Sequence, residues 1–179
     1  MIDDAELVRT VRRLQDRQEL RDLTVRYCRA MDDSDWSALR ALFADRPEAA
    51  GGEGGDETVS RLRSVRSTYG RTIHTPHGQL VEFSDEDHAT GLVPAHAELA
   101  ISGETVVCAM RYYDDYVRQP DGWRFARRQI KFGYALPWPT LGGALTDDLP
   151  VRRPGTQPAP PDPFPGAVGW LEREAPVRS

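Results

Sequence analysis

Apolar positions near the start of the chain recur at steps of three and four. Leu7, Val8, Val11 and Leu14, then Leu20, Leu23, Tyr27 and Met31, share one face of a helix predicted over about 4–31, with Arg, Asp and Glu opposite. The run Asp32-Asp33-Ser34-Asp35 breaks that period, and Ser34 or Asp35 can accept hydrogen bonds from the free amides opening a second helix. Trp36, Leu39, Leu42 and Phe43 are its apolar stripe. The glycine-rich stretch between Arg46 and Asp56 suits neither a helix nor a strand interior and reads as a mobile loop. From Thr58 to Tyr69, Val59, Leu62 and Val65 fall on one side of a short helix.

The period then changes to that of strands. Turn signals at Ser84-Asp85-Glu86-Asp87, Ser102-Gly103-Glu104 and Gln119-Pro120-Asp121-Gly122 separate four runs, at about 72–83, 88–101, 105–118 and 123–132. Sequential strands joined by short loops pair as an antiparallel meander, and helices grouped before it make the class α+β. After Tyr134 the composition shifts to Pro and Gly and apolar periodicity ends. The expected division is a domain over 1–133 and a tail over 134–179, extended or packed on the body or on a neighbouring subunit through Trp138, Phe164, Trp170 and Leu171.

Composition narrows the functional classes. The 179 residues suffice for one core, and 28 acidic against 23 basic side chains leave a net charge of -5, which offers no general attraction for nucleic acid or an anionic membrane surface. No apolar run reaches the length of a membrane span, and the acidic N-terminus is unlike a secretory signal. Cys28 and Cys108 are too few and too far apart for a disulfide framework, and read as buried free thiols. A cytoplasmic protein is expected.

Candidate chemistry gathers at the end of the first helix and on the strands. Asp32 falls where the chain leaves the helix, either as a partly enclosed acid or as part of the cap of the second helix, and Tyr27 lies five positions before it. His74 and His77 in the first strand project to opposite faces, while His96 alternates against Val93, Ala95, Ala97 and Leu99. Met110, Tyr112, Asp114 and Tyr116 share one face of the third long strand. The four histidines show no helical i,i+4 pair and no cysteine partner, so no metal site is expected. Without a phosphate loop, nucleophile elbow or dinucleotide fingerprint, no cofactor is expected either.

Several segments in order resemble a known family. Glu19-Leu20-Arg21-Asp22-Leu23, Tyr27-Cys28-Arg29-Ala30-Met31-Asp32 and Asp35-Trp36-Ser37-Ala38-Leu39 resemble the opening of SnoaL-like proteins. Ile73-His74, Arg111-Tyr112-Tyr113-Asp114 and the segment from Asp121 to Arg128 resemble that family's later hallmarks. This family of the nuclear transport factor 2-like superfamily includes scytalone dehydratase and bile-acid dehydratase.

The resemblance implies a cone-shaped, curved antiparallel sheet with an N-terminal helical hairpin enclosing one pocket, and assembly as a homodimer or homotrimer through the outer face of the sheet. It places the family's pocket tyrosine on Tyr27, its helix-end aspartate on Asp32 and its first-strand histidine on His74. Ungapped counting from His74 puts Leu99 at the dehydratases' second histidine, so His96 takes that role if a bulge turns the strand. Met110, Tyr112, Asp114 and His77 are the expected substrate contacts.

The activity implied is cofactor-independent acid–base chemistry on a small, largely apolar hydroxy-carbonyl compound, a dehydration using Asp32 and His74 with Tyr27 or His96 as hydrogen-bond donor. The same residues would serve an isomerase or a polyketide-type cyclase, and a module that only binds a small molecule is the competing class.

Overall fold

A computed structural model describes residues 3–45, 54–153 and 156–164. The first helix, α1, is Asp4–Asp33, opened by Asp3, whose side chain accepts from the Glu6 N–H at 2.7 Å. It closes on Ser34 in the left-handed region, φ 55°, with the Ser34 N–H donating to Ala30 and Met31 carbonyls. Asp35 is then the cap of α2, Trp36–Ala41, accepting from the Ala38 N–H at 2.9 Å. The second half of α1 buries Leu20, Leu23, Tyr27 and Met31 as the periodicity predicts. The first half does not: Leu7, Val8, Val11 and Leu14 are all 45% exposed or more, because none of the described residues covers them on the opening turns of so long a helix. A third helix, α3, is Gly55–Arg66, with Val59 and Leu62 buried and Val65 exposed.

The sheet contains β1 (Tyr69–Pro76), β2 (Leu80–Phe83), β3 (His88–Ile101), β4 (Glu104–Gln119) and β5 (Gly122–Pro137). The order is β1-β3-β4-β5, with β2 continuing along the β3 edge that β1 leaves. The expected single strand over 72–83 is thus two. Residues 77–79 stand against only Pro94 and Val93 of β3, so one residue too many on the edge interrupts the ladder, and Pro76 brings no N–H to it. The β3–β4 turn puts Ser102 (φ 52°) and Gly103 (φ 84°) both in the left-handed region, as a tight hairpin requires.

Pairing between β4 and β5 shifts register twice, at Asp115/Tyr116 and at Ala109/Met110. Each shift adds a residue to β5, bends the sheet and reverses which face the following residues take. The concave face packs under α1 and α2, with Trp123, Phe125 and Tyr116 essentially inaccessible. Farther along, Val93, Ala95, Ala97, Cys108 and Met110 continue it.

β5 runs four residues past 133, so the expected domain boundary falls inside a strand. The chain then makes a short 3-10 turn, Trp138–Gly143, and returns along β5. The Ala135 N–H donates to Pro150 O at 2.9 Å, the Arg152 N–H to Ala135 O at 2.9 Å, and Val151 and Ala159 bridge each other. This segment is packed on the body: Val151 is 2% exposed, and Phe164 lies beneath the Arg111 guanidinium. Trp138 is largely exposed, while Trp170, Leu171 and the glycine-rich residues 46–53 fall outside the described residues. No described helix is long and apolar enough to cross a membrane.

Candidate functional site

The site begins at the last turn of α1. Asp32 sits one position past the buried stripe, so its carboxylate points off the helix toward β1. β1 is an edge strand, and the backbone N–H groups on its free side need acceptors. Asp32 supplies one: Oδ2 accepts the His74 N–H at 2.9 Å, while Oδ1 accepts the Thr72 hydroxyl at 2.8 Å and lies 2.6 Å from His74 Nδ1.

Burial pushes the Asp32 carboxyl up, but hydrogen bonds from the His74 ring, the His74 N–H and the Thr72 hydroxyl outweigh it and hold the group below the usual carboxylate range. An ionised acceptor facing Nδ1 selects the tautomer with the proton on Nδ1. The lone pair is then on Nε2. Both side chains keep some contact with the outside, 12% exposed for His74 and 22% for Asp32.

Arg66 fixes the approach of the two elements. From α3 it donates to Met31 O of the last turn of α1 (3.4 Å) and to Tyr69 O (3.1 Å) and Gly70 O (2.7 Å) of β1. Although it is mostly buried, its charge is spread over three carbonyls that flank the way into the site.

A second cluster is built on Arg128. Its Nε and Nη2 donate to Asp114 Oδ1 and Oδ2, both at 2.7 Å, and Nη2 reaches the Thr24 hydroxyl at 3.3 Å. Tyr27, Tyr112 and Phe125 rings stand 4.2–4.3 Å from the guanidinium carbon. Asp114 also accepts the Tyr116 hydroxyl at 2.6 Å. Burial works against the Arg128 charge, but Asp114 outweighs it and the side chain stays a cation. Burial pushes the Tyr27 phenol up to about 12, so it remains a protonated donor. Cys28, free and buried, lies electrostatically between the clusters: burial pushes its thiol up to about 11, Arg128 lowers it and Asp32 raises it.

Beside these clusters is a cavity of about 740 Å³ between α3, β5 and the returning C-terminal segment. Tyr27 and Arg128 line it, with Arg61 and Val65 from α3 and Arg153 from the segment. Asp32 and His74 are not among the lining residues.

The structure therefore joins Asp32 to His74 and puts Tyr27 at the cavity wall. His96 is not brought to the dyad. Pairing of β3 with β4 runs without a shift from His88 to Ile101, so no bulge turns His96 inward, and it stays exposed on the outer face. His77 is there with it, Nε2 to His96 Nδ1 at 2.7 Å, rather than at a substrate wall. Met110, Tyr112 and Asp114 are on the concave face as the alternation predicts, but buried beneath Arg128 or beside it in the core, and none lines the cavity. Thr72, Arg66, Arg128 and the wall formed by α3 and the C-terminal segment were not singled out by sequence reasoning. Among the described residues no group of three or more His, Cys, Asp or Glu is placed to hold a metal ion.

N-terminal helices over a curved antiparallel sheet are the architecture of the nuclear transport factor 2-like class. The SnoaL-like domain family matches residues 12–129, and the chain belongs to that family. Among curated proteins it is similar to the uncharacterized protein Rv2910c of Mycobacterium tuberculosis, 29% identical over 131 residues, which span 66% of this chain and 86% of that one.

Solved structures of the same fold include the hexachlorocyclohexane dehydrochlorinase LinA-type3 of Novosphingobium barchaimii, with a TM-score of 0.65 and 19% identity over 72% of this chain and 93% of that one. An NTF2-like protein with a cystatin-like fold from Novosphingobium aromaticivorans gives a TM-score of 0.57 and 27% identity over 73% and 90%.

Proposed function

We propose that this protein is a cofactor-independent acid–base enzyme acting on a small hydroxy-carbonyl compound, most naturally as a dehydratase. The observation that carries this reading is the 2.6 Å contact of His74 Nδ1 with an Asp32 carboxylate that is itself tied to Thr72 and to the edge-strand backbone. Nε2 then serves as the base. It takes a proton from the carbon next to the carbonyl, the C–H electron pair forms the enolate, and the enolate expels the β-hydroxyl. The imidazolium returns its proton to the leaving oxygen, so the products are water and the conjugated carbonyl. Tyr27, kept protonated by burial, is the candidate donor to the enolate oxygen. The dehydrochlorinase of the same fold is named for another elimination, which supports this class over proton relocation by an isomerase or carbon–carbon closure by a cyclase.

The test is turnover of β-hydroxy ketones, followed by the absorbance of the conjugated product. Asp32→Asn and His74→Ala are each expected to lower kcat by about 10²–10⁴-fold with the fold intact. Unchanged rates in both variants would remove the dyad from the chemistry.

One observation favours a second reading, a module that binds a small molecule without changing it: the cavity is lined by Tyr27 and Arg128 and not by Asp32 or His74. Under that reading a ligand is recovered chemically unchanged and binds Asp32→Asn as tightly as the parent.

A further inference from the structure

The cavity carries a sign of charge that the molecule as a whole does not. Arg61, Arg127, Arg128 and Arg153 line it, and among the described residues no Asp or Glu does, in a chain of net charge -5. The four arginines come from α3, β5 and the C-terminal segment, so the concentration is produced by tertiary structure rather than by one basic run.

Arg127 pairs with Asp115 at 2.7 Å, Arg128 with Asp114 at 2.7 Å and Arg153 with Asp162 at 3.2 Å. None of those carboxylates lines the cavity. Arg128 and Arg153 therefore line the space while their acids stay out of it. Arg128 Nη1 is in addition buried with no hydrogen-bond partner among the described residues. A donor left unmet on a buried cation is costly, and an oxygen acceptor that reached it would relieve it.

The rest of the wall is largely apolar or aromatic, including Val65, Tyr69, Ile130 and Phe132. Arg153 stands 4.7 Å over the Phe132 ring, which sets a planar cation beside a planar apolar surface. We propose that the cavity takes a carboxylate-bearing aromatic or alicyclic molecule, its carboxylate received by the arginine wall and its ring by the apolar wall. This deepens the acid–base reading and rests on it in one respect: the cavity is taken as the substrate's own site, with the hydroxy-carbonyl end reaching the dyad and the carboxylate held away from it. Guanidinium is suited to the role because its N–H groups match carboxylate geometry in pairs.

The test compares two probes of the same shape, 2-naphthoate and the neutral 2-naphthylmethanol, by isothermal titration calorimetry. Naphthoate is expected to bind about 10-fold or more tightly, with the margin shrinking as NaCl is raised. Arg61→Gln and Arg153→Gln, at two different walls, are each expected to weaken naphthoate by about 3- to 10-fold and to leave the alcohol unchanged. Equal affinities in the parent protein overturn the proposal, as does a naphthoate preference that survives in both arginine variants. The dyad is judged separately. Asp32→Asn should keep the preference while losing turnover, and if it keeps both, the acid–base reading fails while the anion-binding cavity stands.

Discussion

Asp114 accepts two hydrogen bonds from Arg128 and one from Tyr116, in a pair whose side chains are 2% exposed or less. Removing one partner of such a pair leaves the other charge buried and uncompensated, so Asp114→Asn is expected to destabilise the protein by about 3–5 kcal/mol. The denaturant midpoint reads this directly, and a change under 1 kcal/mol, on the order of a surface pair, would show the pair to be solvated. The importance of Arg128 was not legible in the sequence, for a local reason. Alternation from Trp123 and Phe125 assigns Arg127 to the inner face, but Ala126 is extra in the pairing of Phe125 with Tyr116 and of Arg127 with Asp115, and the shift turns Arg128 inward. The contact of Asp32 with His74 was legible only through the family resemblance, since spacing alone left Asp32 as either an enclosed acid or part of a helix cap. For His96 plain alternation was right, and the family analogy that needed a bulge was not.

At the scale of elements, the sheet depends on close approaches that a pattern of apolar positions does not record. A Cβ placed on Gly91 of β3 would stand 2.6 Å from the Tyr116 ring, which fills that space while its hydroxyl bonds Asp114 and accepts from Gln79. Gly91→Ala is therefore expected to cost about 1–3 kcal/mol by displacing the ring, measured as a lowered thermal midpoint. An unchanged midpoint would mean that Tyr116 can move without penalty. The helices and the hairpin turns were readable from period and turn residues. The break between β1 and β2 was not, since it follows from a count of residues on two paired strands rather than from either strand alone. The exposed apolar residues of the first turns of α1 show the same limit. Periodicity names a face, and only the surrounding chain decides whether that face is covered.

For the whole molecule, the returning C-terminal segment is part of the body and a wall of the cavity. A chain ending at Leu149 loses Val151, Arg153 and Thr156, and with Val151 alone it loses burial worth about 1.5–3 kcal/mol. Its thermal midpoint is expected to fall by about 3–12 °C, with weaker binding of aromatic carboxylates. A truncated chain as stable and as tight-binding as the parent would make the segment an appendage. Composition could mark this segment only as poor in helix and strand signals, because its order comes from the free edge of β5.

The central claim is that Asp32 holds His74 with its proton on Nδ1 and its lone pair on Nε2. Long-range ¹H–¹⁵N spectra of the imidazoles, with His74 assigned by His74→Gln, report the tautomer directly. The account predicts a single Nδ1–H form for neutral His74 in the parent protein and its loss or mixing in Asp32→Asn. An Nε2–H form, or a tautomer indifferent to Asp32→Asn, would contradict it.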